Sequence, residues 1–406
     1  MAALRNCTSS LLVQAVATTS ESTVRSGRVH FGARGSSHKL IERSKTMLGG
    51  VRQRPPLGSS VSQPLPGRSR RYAVAQPFPE GWDMEVEDEE GFEEVVGGCL
   101  VQHGQVWNGD VKIHYVECGD KNGELVVLIH GFPNFWYVWK NQFLALAEAG
   151  YHVVAPDLRG YNTSSKPDGI QCYGRSAVVS DMVLLIDHLG NGKPATVVGH
   201  DWGGFVTWAL AEDFPQKVKK AVLANVPHSS VFGSALRSSL RQIRRSWYIG
   251  FFQLPWLPEW LMTGNGCKTL KAALGGIPSF QPLDVDRHVK AYEKAGVIKG
   301  AINYYRAAFR DYWSAVTPRS TPVELPVDLI WGELDDFLGI ELAVIPSTVA
   351  TNVVIKLLPH SSHWPMWDDP KQFNSVLLDS IRSQHATPAD QVHEIPVVSS
   401  SEGLVD

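Results

Sequence analysis

Short apolar runs recur along this chain, and they constrain its fold more than any other feature. Residues 125–129 read Leu-Val-Val-Leu-Ile, and comparable runs stand at 152–155, 196–198, 221–224, 327–331 and 353–358. Such a run is the mark of a strand covered on both faces, since an exposed face would insert polar residues at every second position. Val111, Ile113 and Tyr115 do alternate with more polar neighbours, as in a half-buried strand. Helical stripes lie between the runs. Val178, Val179, Met182, Val183, Leu185, Ile186 and Leu189 fall on one helix face, and residues 205–214 and 373–381 look similar. Strand and helix in alternation predict an α/β fold with a mostly parallel sheet between helical layers. One long interval, from 224 to 327, breaks the rhythm. It is rich in Trp, Phe, Leu and Arg and predicts a helical insertion over the carboxyl ends of the strands, where such folds place ligands.

Charge divides the chain further. Residues 1–75 carry twelve Lys/Arg, twelve serines and two acidic residues, Glu21 and Glu42, so they are net +10 in a chain of net −3. That composition predicts an organelle transit segment, with serine content favouring chloroplast; a mitochondrial address and a plain basic tail on a cytoplasmic protein are the alternatives. Nine carboxylates between residues 80 and 94 repel one another and predict a solvated linker over 76–100. The polar residues 386–406 predict a disordered tail. The folded part is then a core over 101–228, a helical cap over 229–320 and the rest of the core over 321–385. The net acidic balance excludes a nucleic-acid binder by electrostatics. No apolar run reaches the ~18–20 residues of a membrane-spanning helix. Five cysteines without a CxxC pair exclude a disulfide framework or zinc ribbon.

The residues with chemistry gather at predicted strand ends. Gly199-His200-Asp201-Trp202-Gly203 follows one strand and opens a helix, the pattern of a tight nucleophile turn with aspartate as the reacting residue. Taken alone, it also fits a glycine-rich turn with a helix-capping aspartate. His130-Gly131-Phe132-Pro133 follows the strand 125–129, where a loop supplies a main-chain N–H to an oxyanion hole; Phe132 and Trp202 are the donor candidates. Glu333, Asp335 and Asp336 follow another strand and offer an acid to orient a histidine. His360 and His363 follow the last strand, and His363 is the base candidate. Nucleophile, acid and histidine in this order are the order of a hydrolase triad.

These motifs resemble the α/β-hydrolase fold and, within it, the epoxide hydrolases. The resemblance runs from about residue 111 to 381 and includes Pro156-Asp157-Leu158-Arg159-Gly160-Tyr161. It extends into the insertion, where Ser246-Trp247-Tyr248-Ile249-Gly250 and Asn303-Tyr304-Tyr305-Arg306 look like the two lid-tyrosine segments. It implies that Asp201 is the nucleophile, His363 the base, Asp335 (ahead of Asp336) its orienting acid, and Tyr248 and Tyr305 the acids. It also implies a cis bond before Pro133 and no metal or organic cofactor. His130, Pro133, Phe252 and Trp364 are expected to line a pocket for a small lipophilic epoxide, with water as second substrate. Two positions depart from the pattern: Ser362 and Asn162 stand where the family usually has glycine.

Chemistry favours the same reading. An aspartate attacking an ester would give an anhydride, whereas displacement at saturated carbon gives an alkyl ester that water can cleave. A halide leaves unaided, but an epoxide oxygen leaves as a basic alkoxide and needs a proton donor, worth on the order of 10²–10⁴-fold. A haloalkane dehalogenase is the main alternative, with the Trp202 indole as halide donor. Haloacid enzymes, which grip a carboxylate with arginines after the nucleophile, are disfavoured by Trp202 and Phe205 in those places. An ordinary esterase lacks its serine here. A non-catalytic ligand-binding protein on the same scaffold stands apart from all three.

Overall fold

The apolar runs become the middle of one sheet. The computed structural model describes residues 91–314 and 321–383, without the side chains of residues 265 and 311–314. The transit-type segment, the acidic stretch up to residue 90 and the polar tail lie outside the described residues. The strands are β1 (Glu93–Val96), β2 (Cys99–Asn108), β3 (Val111–Gly119), β4 (Leu125–Ile129), β5 (His152–Pro156), β6 (Ala195–His200), β7 (Val218–Ala224), β8 (Val327–Gly332) and β9 (Val353–Leu358). Their order in the sheet is β1-β2-β3-β5-β4-β6-β7-β8-β9. Strands β1, β2 and β3 form an antiparallel meander, and β3 also pairs antiparallel with β5. The pairs from β5 through β9 are parallel.

The helices of the core are α1 (Phe143–Glu148), α2 (Arg175–Leu189) and α3 (Trp202–Asp213). Between β7 and β8 the chain leaves the sheet for α4 (Ser229–Ser238), α5 (Leu240–Arg245), α6 (Trp247–Phe251), α7 (Leu257–Gly275), α8 (Pro282–Glu293) and α9 (Val297–Ser314). It returns through β8 and β9 to α10 (Pro365–Asp368) and α11 (Pro370–Arg382). Among the described residues, no helix is long and apolar enough to cross a membrane.

Two expectations are corrected. The predicted linker does not extend to residue 100, because β1 and the start of β2 lie inside it. Carboxylates are tolerated there because distant partners meet them. The Glu94 carboxylate accepts from Arg287 on α8 at 3.0 Å and lies 3.3 Å from His103 of β2. The second correction concerns residues 353–358. They form the edge strand β9, on which Ile355 and Leu357 are exposed, so this run is not covered on both faces. Three neighbouring strands are also tied by charge: buried Asp328 of β8 pairs with Lys220 of β7 at 2.9 Å and Lys356 of β9 at 3.1 Å.

The helical insertion is fastened to the core by polar contacts. The hydroxyl of buried Tyr304 on α9 donates to the Arg159 carbonyl at 2.9 Å. Arg159 itself makes a two-pronged bond to Asp181 of α2, at 2.6 Å on each side. Arg306, one turn along from Ile302, donates to the carbonyls of Phe252 and Leu254 and to Glu259, closing the insertion on itself.

Candidate active site

Asp201 occupies the sharp turn from β6 into α3, with φ +52° and ψ −119°. A non-glycine residue in that region is strained and is held there by its surroundings. The surroundings leave no slack: a Cβ on Gly203 would lie 2.1 Å from the Ile129 carbonyl oxygen, and one on Gly131 would lie 2.3 Å from Asp201 Oδ1. The turn therefore drives the carboxylate against the end of β4. Asp201 Oδ1 accepts from the Phe132 N–H at 2.8 Å, and the Trp202 N–H also donates to the carboxylate. Burial raises the Asp201 pKa above the usual range; the His363 charge and these two donors pull it back in part.

His363, on the loop after β9, faces Asp201 across a gap of 3.8 Å from Nε2 to Oδ2. Its Nδ1 lies 2.7 Å from Asp335 Oδ2. Asp335 Oδ1 accepts from the Phe337 and Leu338 N–H groups at 2.7 and 2.9 Å, and Oδ2 accepts from Asn225 Nδ2 at 2.8 Å. Three N–H donors thus converge on the Asp335 carboxyl group and fix its orientation toward His363. Burial lowers the His363 pKa, but Asp335 and then Asp201 outweigh it, so the net direction is upward. Asp335, and not Asp336, is thus the acid hydrogen-bonded to His363, while His360 and Glu333 are exposed.

The insertion closes the site from above. Tyr248 of α6 and Tyr305 of α9 have ring centroids 5.9 Å apart. Tyr305 packs edge-on against Trp202, with ring centroids 4.9 Å apart. Burial, with the Asp201 charge next in rank, raises both phenol pKa values, so both hydroxyls stay protonated. Phe252 packs between Phe132 and Tyr305, at 5.6 and 4.9 Å, and Trp364 packs on His363 at 5.0 Å. Pro133 is half-buried after a cis Phe132–Pro133 bond.

His130 does not fit its expected contact with substrate. It is fully buried; Nδ1 lies 3.0 Å from the Gly131 carbonyl, and Nε2 accepts from the Leu158 N–H at 3.0 Å. Both nitrogens are spent on main chain, so His130 shapes the loop that presents Phe132. The two departures from the family pattern are accommodated. Asn162 takes φ +38°, which asparagine tolerates better than most residues, and donates to Asp157 at 2.8 Å. The Ser362 hydroxyl donates to Asp368 at 2.7 Å.

Four residues of the site were not identified from the sequence. Asn225, directly after β7, braces Asp335 and also bonds the Gly332 main chain. His200 donates from Nε2 to the His363 carbonyl at 2.7 Å. Tyr161 and Tyr292 place buried hydroxyls without a hydrogen-bond partner within the electrostatic reach of Asp201. Only Asn225 and His200 carried a signal, since each is a polar residue at the end of an apolar strand. Among the described residues, no group of three or more His, Cys, Asp or Glu is arranged to hold a metal ion.

Residues 124–258 match the model of the α/β hydrolase fold family. The chain is 31% identical over 295 residues to Epoxide hydrolase 4 of Homo sapiens, covering 70% of this chain and 79% of that protein. It is 34% identical over 278 residues to Epoxide hydrolase 3 of Mus musculus, covering 67% and 74% respectively. The chain belongs to the epoxide hydrolase family. Among solved structures, an epoxide hydrolase from Bacillus megaterium in complex with an inhibitor superposes with a TM-score of 0.63 at 28% identity, covering 69% of this chain and 100% of that one. An epoxide hydrolase from Vigna radiata gives 0.59 at 28% identity, covering 69% and 97%.

Proposed function

We propose that this protein opens a lipophilic epoxide to a vicinal diol through a covalent ester on Asp201. The observation that carries this reading is the unequal use of the two Asp201 oxygens. Oδ1 is held by the Phe132 N–H, whereas Oδ2 faces His363. Oδ2 attacks an epoxide carbon and the carbon–oxygen bond breaks. The departing oxygen takes a proton from Tyr248 or Tyr305. Oδ1 is then the carbonyl oxygen of the new ester, already lodged on the Phe132 N–H, which stabilises negative charge on it. Alkylation also removes the Asp201 charge that raises both phenols, which makes them better acids as the alkoxide forms.

The second half uses water. His363 Nε2 removes a proton from a water molecule, whose oxygen attacks the ester carbon. The tetrahedral oxyanion collapses and the carbon–oxygen bond to the substrate breaks; the departing oxygen takes the proton of the newly added hydroxyl, which frees the diol and restores the Asp201 carboxylate, and the proton on His363 returns to the tyrosine. Asp335 holds the imidazole and stabilises its charged form. A halide-leaving reaction is less well served, because the Trp202 ring is covered edge-on by Tyr305.

The test offers terminal, internal and fatty-acid epoxides to the full chain and to Asp201→Ala and His363→Gln. Diol from the wild type alone is expected, with His363→Gln gaining the mass of one substrate on the peptide that contains Asp201. Diol from Asp201→Ala, or halide from haloalkanes with no diol from any epoxide, would overturn the reading.

A further inference from the structure

The outer face of the insertion is unlike the rest of the surface. Between residues 229 and 258 the chain has four arginines and no carboxylate, in a protein whose sequence beyond residue 75 is net acidic. Helices α5 and α6 are separated by Ser246 alone. Leu240, Ile243 and Trp247, three and four residues apart, are exposed there at 79%, 43% and 45%. Phe251, one turn beyond, packs on Trp247 with ring centroids 6.0 Å apart. Arg241 and Arg244 are exposed on α5.

The loop from α6 into α7 continues this face. Leu254, Trp256 and Trp260 are exposed at 44%, 70% and 52%. Trp256 and Trp260 lie four residues apart at the start of α7, so they are neighbours on its surface. Their exposure is built in. Buried Arg306 clamps the carbonyls of Phe252 and Leu254 and the carboxylate of Glu259 from inside, and Trp256 is held at φ +54°. The insertion therefore supports, from below, a loop whose apolar side chains face water.

Indole and arginine together select one kind of surface. Tryptophan favours the boundary between headgroups and acyl chains, where its ring is buried and its N–H remains solvated. Arginine pairs with phosphate in the same layer. A second copy of this chain would have to bring acidic groups to meet the arginines, and the one carboxylate within residues 240–260, Glu259, is already paired with Arg306. We propose that this face docks on an anionic lipid surface, with Leu254, Trp247, Trp256 and Trp260 entering the interface and Arg241 and Arg244 meeting phosphates. Helix α6 then separates lipid from reaction site by its own thickness, since Trp247 points outward while Tyr248 and Phe252 roof the site. Delivery of a bilayer-dissolved epoxide across that helix rests on the function proposed above; the docking does not.

The test follows amide hydrogen exchange in the full chain mixed with phosphatidylcholine vesicles, with and without phosphatidylglycerol. Residues 1–75 are basic and bind such vesicles on their own account, so the reading is taken segment by segment. Slowed exchange over residues 240–260 with the anionic vesicles is expected. It should be lost in Trp256→Ser with Trp260→Ser, and weakened by roughly fivefold per arginine in Arg241→Gln with Arg244→Gln. Bound vesicles with unchanged exchange over 240–260 would overturn the proposal. So would slowing that needs no vesicle and grows with protein concentration, which would make the face a self-association surface. If a variant fails to fold, the wild-type pattern alone still decides.

Discussion

At the scale of single residues, the site is a set of charges whose neighbours decide what each can do. Asp335 was legible from its place after a strand, but its brace was not, because Asn225 comes from another strand end 110 positions away in sequence. Replacing Asp335 by Asn removes the chief influence that raises the His363 pKa. His363 works as a base only when neutral, so activity falls as pH drops through its pKa. The variant should show that acid limb at lower pH, with a plateau rate reduced by roughly 10²–10⁴-fold. A pH–rate profile checks both, and an unmoved limb would show that Asp335 does not set the base. The tyrosines make a second prediction. Tyr248→Phe with Tyr305→Phe leaves folding intact and abolishes the ring-opening step, so single-turnover mixing should show no ester on Asp201. Undiminished ester formation would remove both from the role of acid.

At the scale of elements, legibility followed periodicity. Strands β4 to β8 were readable because burial on both faces leaves a short, mainly apolar run in each. Strands β1 and the start of β2 were not, because Glu93 and Glu94 look like part of a solvated acidic tract until Arg287 and His103 arrive from elsewhere in the fold. The helical insertion was recognisable as an interruption, but its helix boundaries were not. The charge link across β7, β8 and β9 was equally silent, since neither Lys220 nor Asp328 has its partner nearby in sequence. Asp328→Ala leaves Lys220 buried without its carboxylate, and should lower stability by ~3–5 kcal/mol. Denaturant unfolding measures this directly. A loss below about 1 kcal/mol, the range of exposed pairs, would mean that the link is effectively solvated.

At the scale of the whole molecule, the consequence lies in two adjacent residues of α9. Tyr304 is bolted to the core through the Arg159 carbonyl, and Tyr305 beside it overhangs Asp201. One helix carries both, so under the mechanism proposed above it cannot swing outward to admit a substrate without drawing the proposed acid away from Asp201. An open gate is therefore an unarmed one. On that mechanism cleavage belongs to the shut form, in which an epoxide has already exchanged bulk solvent for the aromatic chamber. Under the proposed mechanism the fastening acts as an interlock and sets a timing rule: admission first, protonation second, never both at once.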